Sequence, residues 1–196
     1  MRNSTLSFRS LFVAILVLAG FSASAQLTGV QTIPGSYPTL DAAIIDLNTQ
    51  GVGAGGVLFN LLPGNPQTAP VGGYVITAPG TAANSIIFNG NNNVITASNA
   101  LTVGALNDGI FKIVGGDFIS LNGFSITENA ANTTTTAASN NMTEWGIALL
   151  YTSVTDGCQN ITINGCTIDL DRTYQNTFGI YSNSTHSATA PTTSAT

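Results

Sequence analysis

The chain has 196 residues with a formal net charge of −5, and 7% of them are charged against 43% hydrophobic. Disordered chains show the opposite balance, so this one is predicted to bury a core and to keep its surface wet with Asn, Thr and Ser. Nucleic-acid binding is excluded: it needs a Lys/Arg footprint to displace counterions, and four basic residues in all cannot supply one.

In chain order, Arg2 and Arg9 flank an uninterrupted apolar run, Leu11–Ala19, and Ala23-Ser24-Ala25 follows with the small-residue pattern of a cleavage site. The run is shorter than the roughly 20 residues of a spanning helix, so residues 1–25 are predicted to be a cleavable signal peptide with Gln26 as the first mature residue. Export to the medium or the cell surface follows, with no membrane-spanning segment after cleavage. Processing leaves Lys112 and Arg172 against nine acidic residues, a net charge of −7, which also disfavours anionic membrane surfaces.

The mature region opens on a helix. Thr39 is a good N-cap, Asp41 puts a negative charge in the first turn, and Leu40, Ala43, Ile44 and Leu47 form the i, i+3, i+4, i+7 stripe. The pattern predicts a short N-terminal capping helix over residues 39–49, ended by Gly51. Val57–Leu62, closed by Pro63-Gly64, reads as a strand, as does Gly73–Thr77.

From about residue 84 the chain repeats. Ile119, Leu121, Phe124 and Ile126 map onto Ile161, Ile163, Cys166 and Ile168 at a constant offset of 42, and Asn89-Gly90 precedes Asn122-Gly123 by 33. A further element recurs as Gly109-Ile110, Gly146-Ile147 and Gly179-Ile180, which reads as a third strand in phase with the other two. Alternation puts aliphatics on one face and Ser, Thr and Asn on the other. Short strands that cannot bury an apolar face alone must stack on their copies, the logic of a solenoid. Glu128–Glu144, rich in Thr, Ala and Asn, reads as a loop with almost nothing to bury that absorbs the variable offset. Asn-Gly between alternating runs also suits antiparallel hairpins; its recurrence in phase favours the stack.

These residues resemble the pectin-lyase-like superfamily of secreted bacterial proteins with right-handed parallel β-helix repeats. Tyr37–Ala43 resembles the family's entry helix, Val57–Gly64 the strand that follows it, and the segments at Ile119 and Ile161 its repeating coils. The resemblance covers residues 33–184 and implies an all-β fold, a right-handed parallel β-helix with one capping helix over a domain of residues 26–184. It does not imply an activity, because the superfamily holds lyases, hydrolases, adhesins and phage tail proteins. The Asn-Thr-Asp strand, Asp-Asp pair and Gly-His-Gly of its hydrolases do not occur here, and a lyase's catalytic Arg or Lys has only Arg172 and Lys112 to draw on.

Candidate sites are few. Asp169 and Asp171 fall about 7 Å apart on one face of an extended strand, with Arg172 beside them. They suit a Ca²⁺ site, an acid and base acting on a glycoside, or a solvated strand end with a local Asp–Arg pair. Trp145, Tyr151, Tyr174 and Tyr181 either stack on sugar rings or fill the core. Cys158 and Cys166 flank a strand and a turn, which favours free thiols unless the bend at Asn164-Gly165 brings them together. His186, the one histidine, lies in the Ser/Thr/Ala-rich tail of residues 185–196. That tail is either a linker or the start of a continuation. The functional expectation is a non-catalytic extracellular or cell-surface module for adhesion or glycan binding. The alternative is the N-terminal part of a polysaccharide lyase or glycoside hydrolase acting on acidic plant or algal polysaccharide.

Overall fold

The computed structural model describes residues 26–99, 108–136, 139–153, 155–173 and 177–183. The predicted signal peptide (residues 1–25), Tyr174, His186 and the tail lie outside them. Within them the protein is all-β but for one helix, and every pair of named strands is parallel. No helix among the described residues is long and apolar enough to cross a membrane.

The helix forms where its pattern predicts. In α1 (Leu40–Gln50) the Thr39 hydroxyl accepts from the Ala42 amide at 3.2 Å, and Leu40, Ala43, Ile44 and Leu47 are the buried residues. Gly51, at φ 72°, stops it by donating its amide to the Leu47 carbonyl. Asn48 fastens it to the neighbouring strand, donating to the Val75 carbonyl at 2.7 Å and accepting from the Thr77 amide at 2.9 Å.

The strands fall into three sheets. The first holds β1 (Leu27–Ile33), β2 (Val52–Leu61), β5 (Ile86–Asn89), β8 (Ile119–Asn122) and β11 (Thr162–Asn164). The second holds β3 (Gln67–Thr68), β6 (Val94–Thr96), β9 (Ser125–Thr127) and β12 (Thr167–Asp169). The third holds β4 (Tyr74–Ile76), β7 (Gly109–Val114), β10 (Trp145–Leu150) and β13 (Phe178–Asn183). From β2 onward the chain visits first, second and third sheet in strict rotation, so each strand bonds to the strand one circuit away. The stack thus begins with β2, before the first repeat visible in the sequence, and β1 pairs with β2 ahead of it.

Parallel register turns each position into a column. Phe59, Phe88, Leu121 and Ile163 are paired in succession, as are Ile95, Ile126 and Ile168. Phe59 and Phe88 stack with centroids 4.9 Å apart and planes at 15°. Tyr74, Phe111 and Phe124 continue the aromatic packing from the third sheet. Gln67 stands where later circuits place Ile95 and Ile126; its amide oxygen instead accepts from the Leu40 amide at 3.3 Å, so a polar residue there is satisfied by the helix. Several outward columns are polar, among them Thr32–Asn60–Asn89–Asn122–Asn164.

The Asn-Gly bends are corners between the first and second sheets, not hairpins. Gly123 and Gly165 make the turn at φ 63° and 61°, while in the earlier copy the left-handed residues are Asn91 and Asn92. Gly90 is needed for space: a Cβ there would sit 2.6 Å from both the Gly123 carbonyl and the Phe124 ring.

Two expectations are corrected. Gly146 and Gly179 are in phase, but Gly109 pairs with Trp145, one residue out of step. The slip arises because the Asp108 carbonyl accepts from both Glu144 and Trp145 amides, at 2.8 and 3.2 Å. Nor is the loop from Glu128 to Glu144 without burial. Asn132, Asn140, Met142, Thr143 and Glu144 are all buried, and the Glu128 carboxylate draws the loop shut by accepting from the Thr143 hydroxyl at 2.7 Å, the Thr143 amide at 3.1 Å and the Asn132 side chain at 2.8 Å.

The register yields a paired test. Leu121→Asp puts an unpaired carboxylate into a dry column and should cost about 4 kcal/mol or more, whereas Ser120→Asp, facing outward, should stay within about 1 kcal/mol. Urea unfolding of both variants is the measurement, and equal destabilisation would contradict the assignment of inward and outward faces.

Candidate functional site

The outer face of the second sheet carries a strip of hydroxylated side chains. Thr68, Thr96, Thr127 and Asp169 form one column, paired strand to strand, with Ser125 and Thr167 in a second column beside it. Thr68, Thr167 and Asp169 are exposed and Thr96, Ser125 and Thr127 half-buried; short β-branched and hydroxylated residues suit such outward positions, because they fit the pleat and offer a donor and acceptor each. Among the described residues no protein group hydrogen-bonds the side chains of Thr96, Thr127, Ser125 or Thr167, so the strip presents unengaged hydroxyls at the roughly 4.8 Å strand spacing.

The strip runs into the acidic segment singled out in the sequence, but the expected shared strand face is corrected: β12 ends at Asp169, and Asp171 and Arg172 lie beyond it where the chain turns. Asp169, Asp171 and Arg172 are all exposed, and Asp169 and Arg172 line an open cavity of about 220 Å³ with Ile168, Leu170, Thr177 and Gly179. The local Asp–Arg pair does not form: Arg172 has no hydrogen-bond or ion-pair partner among the described residues. Asp171 instead accepts from the Thr173 amide at 2.8 Å, and that bond holds its carboxyl below the usual range. No group of three acidic, cysteine or histidine side chains suited to a metal occurs among the described residues. Asp169 and Asp171 alone give any Ca²⁺ two carboxylates.

The aromatic candidates separate. Trp145 is fully buried and Tyr181 nearly so, stacked on one another at 5.3 Å in a small cluster with Ala148 and Leu150, so neither exposes a ring face to a sugar. Burial is the cheaper use of such large apolar surfaces. Tyr151, 38% exposed, stays on the surface, and Tyr174 lies outside the described residues. Cys158 and Cys166 are free and partly buried, their thiols donating to the carbonyls of Ile113 (3.1 Å) and Leu121 (3.5 Å) respectively. Burial pushes the Cys158 thiol up, which suits an inert side chain.

One cluster was not anticipated. Asp108, Lys112 and Glu144 are buried together on the third sheet, 2%, 5% and 8% exposed. Asp108 and Glu144 immediately precede paired strands, so two carboxylates fall in one column. Lys112 lies four residues beyond Asp108, and its stem runs back over Gly109. Burial, with the Glu144 charge beside it, raises Asp108 to about 7; burial likewise raises Glu144 and lowers Lys112. The sequence signal was present: a lone Lys inside the apolar run Gly109–Val114, with an acid immediately before each of β7 and β10. Sealed in this way, the three groups cannot touch a polymeric substrate.

No protein-family model, curated protein or solved structure matches the chain.

The cluster sets a pH dependence. Asp108 titrates near 7 in the folded state against about 4 unfolded, so its contribution is most favourable below pH 4 and is lost as pH rises through 7. Asp108→Asn, which cannot ionise, should melt higher than the wild type at pH 8, with the gap closing by pH 4. Melting temperatures across that range are the readout, and a gap that widens toward acid would contradict the assignment.

Proposed function

We propose that the protein is exported and serves as a non-catalytic extracellular or cell-surface module that binds a glycan along the outer face of the second sheet. On this reading the three sheets wind as a right-handed parallel β-helix, as the resemblance to the pectin-lyase-like superfamily implies. The rotation of the chain through the sheets in fixed order supports the winding, and the hand rests on the resemblance.

The observation that carries the binding assignment is the strip of unengaged hydroxyls, Thr68–Thr96–Thr127 with Ser125 and Thr167, ending at Asp169. A polysaccharide chain presents rows of hydroxyls that exchange donors and acceptors with such a surface. A rigid sheet lowers the cost of recognition, because its side chains are already held in place. Net acidity and the scarcity of basic groups turn away nucleic acid and other polyanions. Catalysis is disfavoured because the exposed titratable groups of this face are Asp169, Asp171 and Arg172 alone among the described residues, with Asp171 engaged by Thr173. The buried acids and lysine are out of reach.

The test is a glycan array followed by titration of the best ligand. Thr96→Val and Thr127→Val keep the strand shape and remove a hydroxyl, so each should weaken binding about five- to tenfold, the worth of a hydrogen bond or two. Unchanged affinity in both would remove the strip from the site, and depolymerisation of any polysaccharide at enzyme-like rates would overturn the non-catalytic reading.

A further inference from the structure

The hydroxyl strip of the second sheet has a direction. β3 is two residues long and β6, β9 and β12 are three each, so a strand offers at most roughly 10 Å of surface along its own axis. One end of that span is an Asn-Gly corner, and the other is walled. The chain leaving β9 folds back over the chain leaving β6, where Asn129 and Asn132 donate their side-chain amides to the Ala97 and Ser98 carbonyls at 3.0 and 2.9 Å. Across the strands the surface continues instead. Thr68, Thr96 and Thr127 repeat over three circuits, and the neighbouring column of Val94, Ser125 and Thr167 reaches a fourth.

The face is also almost without charge. Among the described residues Asp169 is the one charged side chain in these two columns, and neither column holds a cation. The nearby Glu128 carboxylate is turned into the loop, where it accepts four hydrogen bonds. An anionic ligand would find no partner on such a surface and would meet the field of an acidic protein. Neutral hydroxyls can trade donors and acceptors with Thr and Ser, and exposed Val94 offers the CH face of a sugar ring an apolar contact.

We propose that the ligand is a neutral, extended polysaccharide lying along the stack, across the strands, with one sugar to each circuit. This rests on the glycan reading above and adds to it the run of the chain and the class of linkage. Successive circuits stand roughly 4.8 Å apart. Pyranoses linked equatorially at both ends of the ring, as in β-1,4-linked glucans, mannans and xylans, form extended chains that advance by about one strand spacing per sugar. Each sugar then meets an equivalent Thr or Ser. An α-1,4-linked chain coils and falls out of step with the columns. A uronate chain brings a carboxylate to every circuit of a face that has no cation to receive it.

Isothermal titration calorimetry on the purified, processed protein tests the proposal. The probes are β-1,4-linked gluco-, manno- and xylo-oligosaccharides of two, three and four sugars, with maltotetraose and tetragalacturonate as the coiled and charged comparisons. In at least one β-1,4 series the affinity should rise about three- to tenfold with each added sugar, the worth of roughly one hydrogen bond apiece. Thr68 and Thr127 lie two circuits apart. Thr68→Val and Thr127→Val should each weaken the same tetrasaccharide at least about threefold, because the chain spans both. Far-UV circular dichroism should be unchanged in both. A glycan weakened by Thr127→Val but indifferent to Thr68→Val would lie along one strand and overturn the proposal. Tighter binding of maltotetraose or tetragalacturonate than of every β-1,4 tetrasaccharide would overturn it too. Either result would leave the glycan reading standing, whereas failure to bind any glycan would remove that reading and this proposal with it.

Discussion

Backbone hydrogen bonding between strands one circuit apart is the constraint on which the rest of the molecule depends. Each short strand offers amides and carbonyls on both sides, and in a parallel ladder these are satisfied only by another strand at the same height in the neighbouring circuit. Once the ladders are set, residue identity is no longer local. Phe59 must suit Phe88, Phe88 must suit Leu121, and the outward Asn60, Asn89, Asn122 and Asn164 must tolerate one another at strand spacing. The Asn side chains do so by bonding along the column, as Asn122 does to Asn89 at 3.2 Å.

Columns also explain the scarcity of charge. Like charges in adjacent strands of a parallel ladder stand about 5 Å apart with no room to turn away, so a charged column is costly. Asn and Thr keep the surface hydrated without that repulsion. The exception is instructive: Asp108 and Glu144 do share a column, and each is pushed toward its protonated form. The loop that leads into Glu144 is held by Glu128, whose carboxylate satisfies four donors and so anchors a segment that has little apolar surface of its own.

Much of this organisation was legible in the residues. The offset of 42 seen along the chain is the register itself, since Leu121 pairs with Ile163 and Ile126 with Ile168. The helix and its buried stripe were legible because capping and 3.6-residue periodicity are local signals. β1 was missed, for Leu27–Ile33 has no repeat partner in the sequence and becomes a strand only by pairing with β2. The one-residue slip at Trp145 was invisible, because the Gly-Ile pattern looks in phase until the Asp108 carbonyl takes two amides. The candidate site was legible in part: Asp169 and Arg172 do share a cavity. That the hydroxyls of Thr68, Thr96 and Thr127 line up requires knowing which strands are neighbours, and the spacing between these copies is irregular.

The register of the first sheet is the central claim, and nitroxide pairs on its outward column test it directly. Leu58, Ile87, Ser120 and Thr162 are successive partners in four adjacent strands. With both native cysteines replaced by serine, dipolar broadening should place labels at Ser120 and Thr162 about 5 Å apart, Ile87 and Thr162 about 10 Å, and Leu58 and Thr162 about 14 Å, one strand spacing per step. Separations that do not increase in that order would contradict the stack.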